Sequence, residues 1–171
     1  MALTHEDDKP WKRDLARKSA QRRDQVLREV EETIRKAGSF EDALREAAEL
    51  IKKRFARFSA VTVYVADGED LVVHTALDRP SVPERVGTGS GPLADAAHGH
   101  HPALVTDLAN QPTWHSVGLL TGSVLVAPVR TEAGLWATLE IWSDFREAFN
   151  PHDVKLIEKI STALAKKTPA T

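Results

Sequence analysis

The sequence contains no cysteine among its 171 residues. This absence excludes disulfide bonds, thiolate metal ligands and any reaction that needs a thiol nucleophile, and it is typical of proteins in a reducing cytoplasm, where we expect this chain to act. No apolar run reaches the roughly 18 residues from which a membrane-spanning helix is read. The N-terminal stretch MALTHEDDKPWKRD also lacks the apolar segment of a signal peptide. We therefore expect no membrane insertion.

Charge of one sign is not in large excess, because the net charge is −2. Its distribution is uneven: residues 1–58 carry 15 Lys/Arg against 12 Asp/Glu, and the remainder carries 8 against 13. Residues 12–23 (KRDLARKSAQRR) hold six basic residues and one acidic residue. Such a segment can contact an acidic partner, but it has no aromatic residues for base stacking. We expect a solvated helix here and not a nucleic-acid site.

Hydrophobic periodicity predicts an α+β domain with a mainly antiparallel sheet. The predicted elements are a helix from about 22 to 37, a helix at 40–56, a hairpin of strands 60–66 and 71–77, a loop at 78–91, a short helix at 92–97, a strand at 103–106, a hairpin of strands 125–130 and 135–143, and a helix from 151. We expect the first part of the first helix to project from the domain. We divide the chain into a charged, partly helical extension (1–22), one domain (23–166) and a tail (167–171).

Six short segments from residue 89 onward occur in an informative order. They are GSG at 89–91, AAHGHHP at 96–102, DLANQPTW at 107–114, SVLVAPV at 123–129, ATLEIWS at 137–143 and NPHD at 150–153. Together they resemble the motifs of the GAF domain family over roughly residues 38–166. The resemblance implies a twisted antiparallel sheet, with the N- and C-terminal helices packed on one face. It also implies a ligand pocket on the other face, under the loops of residues 78–120.

The chain departs from this pattern at informative positions. Its layout is similar to that of the free methionine-(R)-sulfoxide reductases, which use pocket cysteines and acidic residues of the last strand. Leu93 stands near an expected cysteine, Glu140 matches one acidic residue, and Trp142 replaces the other. Gln111 and Thr113 replace a usual Asp and Arg. The resemblance therefore implies no thiol-dependent reduction, and we expect no enzyme of that type.

Alternation along the last strand predicts one aromatic, polar face and one aliphatic face. The predicted faces are Trp136, Thr138, Glu140 and Trp142 on one side, and Leu135, Ala137, Leu139 and Ile141 on the other. A carboxylate between two indoles suits a cationic or hydrogen-donating ligand. The alternative is that both indoles belong to the core and Glu140 accepts a hydrogen bond from a loop amide. The remaining residues that we expect to contact a ligand are Tyr64, His74, Leu93 and Trp114.

Histidines and glycines offer two weaker candidate sites. His98, His100 and His101 lie within four residues, and grouped imidazoles can bind zinc or haem. Because a turn of this kind seldom brings three ligands together, we predict solvated side chains and no metal site. The amides of residues 91–93 begin a helix, which makes them a candidate anion site.

These observations predict a small-molecule-binding, GAF-like sensory domain that signals through a homodimer of its terminal helices. Its dimer seam would contain Leu15, Val26, Val30, Ile34 and Ala37. One alternative is a degenerate GAF module that serves protein interaction or dimerisation without a ligand, and another is a non-thiol enzyme. The sequence identifies neither the small molecule nor a cofactor. A cavity lined by Trp136, Glu140 and Trp142 would favour the sensor, and an occluded one the interaction module.

Overall fold

Helices come first and last in the chain, and the strands lie between them. The computed structural model describes residues 9–79, 82–89, 92–110 and 122–170. The helices are α1 (Pro10–Lys36), α2 (Phe40–Arg54), α3 (Pro92–His98) and α4 (Pro151–Ala165), and a 3₁₀ turn is formed at Leu108–Asn110. The strands are β1 (Ala60–Asp67), β2 (Asp70–Leu77), β3 (Arg85–Gly87), β4 (Ala103–Val105), β5 (Ser123–Thr131) and β6 (Gly134–Ser143).

The strands form one antiparallel sheet in the order β3-β2-β1-β6-β5-β4. Its centre is the pairing of β1 with β6, which joins the two predicted hairpins into one layer. The sheet and its helices confirm the predicted α+β class and the GAF-like arrangement. The largest difference in bounds is at α1, which begins at Pro10 and not near residue 22. Proline suits the first turn of a helix, because its missing N–H has no partner there in any case.

Helices α1, α2 and α4 cover one face of the sheet and bury the larger core. Serine and asparagine caps fix where two of them begin: Ser39 accepts a hydrogen bond from the amide of Asp42, and Asn150 and Asp153 form a reciprocal capping box. The sheet contributes aliphatic side chains to this core. They are Val61, Val63, Leu125, Ala127, Val129, Ala137, Leu139 and Ile141.

Helix α1 belongs to this core only through its second half. Val26, Val30 and Ile34 are buried in the core of their own chain, as is Ala37 just after the helix. The expectation that these four residues line a dimer seam is therefore wrong, because intrachain packing already covers them. The first half of the helix differs, since its largest apolar side chains, Trp11 and Leu15, are both 59% exposed.

A second, smaller cluster lies on the opposite face of the sheet, which we call the loop-covered face. Its fully or nearly buried members are Ala60, Tyr64, Leu71, Leu93, Ala96, Val105, Leu108, Val124, Val126 and Trp142. Helix α3 and the 3₁₀ turn supply Leu93, Ala96 and Leu108, so these short elements cover the sheet on this side. The cluster lies on the face where the sequence predicts a pocket.

Candidate functional site

A β-bulge at the start of β6 decides which of its side chains face the loops. Val129 pairs with Ala137 and Arg130 pairs with Leu135, which leaves Trp136 as the extra residue. The bulge reverses the alternation at this point. Trp136 packs against the helix-side core, with its ring edge-on to Phe40 at a centroid distance of 5.9 Å. The prediction that Trp136 faces the pocket is wrong.

The same bulge moves Leu135 in the opposite direction. The sequence predicts Leu135 on the helix side, whereas it packs against the cluster of the loop-covered face. From Ala137 onward the alternation is as predicted, because Ala137, Leu139 and Ile141 enter the helix-side core. Trp142 joins the opposite cluster.

Polar side chains are buried side by side where β1 and β6 pair. Thr62 is opposite Glu140, and Tyr64 is opposite Thr138. All four are almost inaccessible to water, with exposures of 0%, 3%, 1% and 0% for Thr62, Glu140, Tyr64 and Thr138. Among the described residues, the hydroxyls of Thr62 and Thr138 have no hydrogen-bond partner. Burying a polar group without a partner costs stability, so these positions are candidates for a role in binding.

Glu140 is at the centre of this patch and is held by two groups. The indole N–H of Trp142 donates to its Oε2 at 3.1 Å, and Nη1 of Arg79 donates to the same oxygen at 3.3 Å. Both side chains of the ion pair are buried, with 4% exposure for Arg79 and 3% for Glu140. Burial raises the pKa of Glu140 to about 7, although the guanidinium and the indole N–H both act to lower it.

Arg79 also stacks on the aromatic partner of the carboxylate. Its guanidinium carbon lies 4.2 Å from the centroid of the Trp142 ring, a cation–π distance. The guanidinium of Arg79 thus contacts an indole face and a carboxylate at the same time, which is the arrangement that the sequence predicts for the cation of a ligand. Here the cation comes from the chain itself, so Arg79 covers Trp142 and Glu140 in this structure, which is the outcome that the criterion given above assigns to the interaction module.

Tyr64 lies at one side of this patch of buried polar side chains and contacts the loop before β3. Its hydroxyl donates to the carbonyl of Pro83 at 3.3 Å, which ties β1 to the segment before β3. Burial raises the pKa of the Tyr64 phenol well above its usual range, and the nearby Glu140 charge adds to this effect. Tyr64 therefore acts as a neutral hydrogen-bonding group.

Sequence reasoning missed Arg79 and Thr62. Thr62 was accessible to it, because alternation places Thr62 on the same face of β1 as Tyr64. Arg79 follows β2 in a loop, 61 positions from its carboxylate partner, and nothing in the sequence indicates that contact.

Family comparison agrees with this geometry. The sequence model described as GAF domain matches residues 37–166. This chain belongs to the GAF domain family. No curated protein matches the chain significantly.

Solved structures with the GAF fold are similar in architecture. The free methionine-R-sulfoxide reductase of Neisseria meningitidis, solved with its substrate, has a TM-score of 0.76 at 21% identity, covering 85% of this chain and 87% of the other. The reduced form of the enzyme from Staphylococcus aureus has a TM-score of 0.78 at 15% identity, covering 86% and 95%. The GAF domain of an Acinetobacter phosphoenolpyruvate-protein phosphotransferase has a TM-score of 0.70 at 12% identity, covering 83% and 89%. At these identities the likeness shows the fold alone.

The remaining predicted ligand contacts of this GAF domain lie in different places. Leu93 is 6% exposed and belongs to the cluster of the loop-covered face. His74 is the extra residue of a bulge in β2, opposite β1, and its Nδ1 lies 2.8 Å from Oγ1 of Thr75. Burial lowers the pKa of His74, and the charged groups that act on it, Glu41, Asp42 and Arg45, all belong to α2. It therefore lies toward the helix side. Trp114 lies outside the described residues, and contact of any of these residues with a ligand stays a prediction.

The clustered histidines of the GAF domain contact different parts of the chain. Nε2 of His98 lies 2.9 Å from the carbonyl oxygen of Thr88, and His101 lies 3.6 Å from a carboxylate oxygen of Glu158 in α4. Within the described parts of the chain, no group of three or more His, Asp or Glu side chains is placed to hold a metal ion. Of the candidate anion site at 91–93, residue 91 lies outside the described residues.

Among the described residues, no helix combines the length and the apolar composition that crossing a membrane requires.

Proposed function

We propose that this GAF domain binds a small organic cation between Trp142 and Glu140, on the loop-covered face of its sheet. The supporting observation is the position of the Arg79 guanidinium, 4.2 Å from the indole centroid and 3.3 Å from the carboxylate oxygen. Cation–π attraction is strongest where water is excluded, and Trp142 and Glu140 are 0% and 3% exposed. The carboxylate supplies the opposite charge that a buried cation requires.

The class of ligand follows from the groups around this pair. Thr62 and Thr138 offer buried hydroxyls next to Glu140 on β1 and β6, and these hydroxyls have no partner in the part of the chain that the structure describes. A ligand with polar substituents beside its cationic group would satisfy them. The N. meningitidis reductase of similar fold acts on free methionine-R-sulfoxide, and a free amino acid carries an ammonium group beside polar atoms. We therefore place amino-acid-like amines and guanidines first among the ligands.

We propose binding without turnover. Because the chain has no cysteine, thiol-dependent sulfoxide reduction has no nucleophile here. The buried carboxylate is engaged in charge recognition, and a sensory role in signalling is the activity that such a site supports. Action in the cytoplasm stays a prediction from the sequence.

Isothermal titration calorimetry with agmatine, L-arginine and free L-methionine-R-sulfoxide tests this site. We expect at least one of them to bind the wild-type domain, and Glu140→Gln to weaken that binding about tenfold or more, because a charge-assisted hydrogen bond is lost. Glu132→Gln, an exposed position in the turn between β5 and β6, is the matched control and should bind like wild type. If no amine or guanidine binds, or if both variants behave alike, the cation site is wrong.

A second function, homodimerisation through α1, is favoured by a separate observation. Trp11 and Leu15 are one turn apart on α1 and both are 59% exposed. Leu15 lies eleven residues before the buried Val26, three turns along the helix, so the exposed pair extends the stripe that enters the core. A second copy of the same helix would cover this stripe.

Light scattering after size-exclusion chromatography tests the dimer. We expect wild type to elute as a dimer and the double variant Trp11→Glu, Leu15→Glu as a monomer. The double variant Gln21→Glu, Gln25→Glu adds the same charge at exposed positions of α1 and should remain dimeric. A monomeric wild type would remove dimerisation from the proposal. A dimer without any ligand binding would support the interaction module.

A further inference from the structure

The segment after β2 contacts both layers of the domain through two consecutive residues. Asp78 pairs with Lys52 at 2.9 Å, and Lys52 lies in the last turn of α2, in the helix layer. Arg79 enters the loop-covered face, where its side chain is 4% exposed. The two side chains therefore run to opposite faces of the sheet.

The backbone between these contacts has an uncommon conformation. Asp78 has φ of 57°, in the left-handed region that non-glycine residues seldom occupy. Such a conformation persists when the surroundings impose it, and it is often found at sites that switch. The Lys52 pair lies on one side of this residue, and the docked guanidinium of Arg79 lies on the other.

We propose that Arg79 is a tethered occupant of the cation site, which a ligand must displace before it binds. This inference rests on the proposed function, because it assigns the regulation of the same site. The guanidinium fills the position over Trp142 and beside Glu140 that the ligand's cation would take. Docking of Arg79 and binding of a ligand therefore exclude each other.

A tethered group competes strongly with a free one. An attached binding group acts at an effective concentration in the millimolar range when its link is short. The apparent affinity for a ligand then falls by the fraction of molecules in which the site is open. Asp78, the residue before Arg79, pairs with Lys52 at the end of α2, and this pair would couple release of Arg79 to that helix.

Removing the tethered cation tests the competition. In calorimetry, Arg79→Met should bind agmatine about tenfold more tightly than wild type, because the competitor is absent and the carboxylate remains. If Arg79 instead helps to hold the ligand, the same variant binds more weakly, and the inference is wrong. The double variant Arg79→Met, Glu140→Gln should lose the gain.

A second probe covers the case in which the variant is unstable. Arg79→Ala leaves a space shaped for the arginine head group, and ethylguanidinium should raise the melting temperature of this variant, with no comparable rise in wild type or in Arg79→Ala, Glu140→Gln. Equal responses in all three proteins would contradict a tethered occupant. If no cationic probe binds any of these proteins, the proposed function itself fails. If probes bind but Arg79→Met gains nothing, only this inference fails.

The Lys52 contact allows a milder test in the intact site. Lys52→Ala removes the partner of Asp78 and should raise agmatine affinity about twofold, in keeping with the small free energy of an exposed ion pair. Lys53→Ala removes an exposed neighbouring charge and is the matched control. If Lys52→Ala and wild type bind agmatine equally, the Lys52–Asp78 pair does not hold Arg79 in the site, and its part in the inference is wrong.

Discussion

The two faces of the central strands are built from different chemistry, although the same strands supply both. Toward the helices, β1 and β6 present Val61, Val63, Leu139 and Ile141, all completely buried. Toward the loops, the intervening positions are mainly polar, and they are buried just as completely. The helix side follows the rule that removing apolar surface from water stabilises a fold. The loop side departs from it, and under the proposed function this surface is kept for recognition.

This difference is informative because buried charges add little to stability. A buried ion pair often contributes no more than apolar residues of the same volume would, since both charges lose their hydration. Arg79 and Glu140 are such a pair. Two partnerless threonine hydroxyls beside it strengthen the contrast. The comparison predicts that substitutions on the helix side change folding, whereas substitutions on the loop side change binding and the dependence on pH.

The largest expected effect is on the helix side. Leu139→Ala should lower the free energy of unfolding by about 2–5 kcal/mol, because it removes a completely buried side chain and leaves a cavity. Urea unfolding followed by fluorescence measures this loss. Binding of agmatine by the folded fraction should be unchanged, since Leu139 faces away from Glu140. A loss below about 1 kcal/mol, typical of surface positions, would contradict the assignment of this face.

The next largest effect is the pH dependence of the free energy of unfolding that comes from Glu140 on the loop-covered face. Glu140 has a pKa of about 7 in the folded domain, above its ordinary value of 4.5. The folded state therefore holds the proton more tightly than the unfolded state. This contribution to stability is complete below about pH 4.5 and is lost as pH rises through about 7.

Urea unfolding of wild type and Glu140→Gln from pH 4.5 to pH 8.5 tests this sign. Relative to the variant, wild type should lose up to a few kcal/mol of unfolding free energy across the interval and then level off. Asp67→Asn, an exposed carboxylate paired with Arg85, is the control and should leave the wild-type profile intact. Parallel profiles for wild type and Glu140→Gln would mean that the carboxylate ionises as it does in water.

Local sequence signals predicted most of the fold. The helix at 40–56 and the alternation from Ala137 to Trp142 each depend on neighbouring residues, and each occurs as predicted. Glu140 was identified in the same way, because alternation places it on the face of the strand that also holds Trp142.

The errors come from interactions that local patterns do not contain. Residues 135–143 read as an uninterrupted alternation, yet the bulge beside the β5–β6 turn reverses Leu135 and Trp136. A bulge depends on how two strands pair, and this is set by the partner as well as by the strand itself. Arg79 was missed for a related reason, since its partner is 61 positions away. A cationic ligand of Glu140 stays a prediction, and the cation that contacts Glu140 in the structure is the side chain of Arg79.

The smallest expected effect is a gain in the free energy of unfolding when a buried hydroxyl on the loop-covered face is replaced by a methyl group. Thr62→Val and Thr138→Val each replace a buried hydroxyl that has no partner by a methyl group of similar size, so each should raise the free energy of unfolding by about 1 kcal/mol. The control is Thr33→Val in α1, where the hydroxyl donates to the carbonyl of Glu29 at 2.8 Å and its loss should bring no gain. Urea unfolding gives the stabilities, and calorimetry with agmatine gives the affinities.

Stabilisation together with weaker binding would mean that the hydroxyls of Thr62 and Thr138 are kept for the ligand at the expense of the fold, because natural sequences often hold a binding site below its most stable composition. Destabilisation at both positions would show that the hydroxyls are satisfied in solution, and the loop-covered face would then lose part of its claim to be a recognition surface.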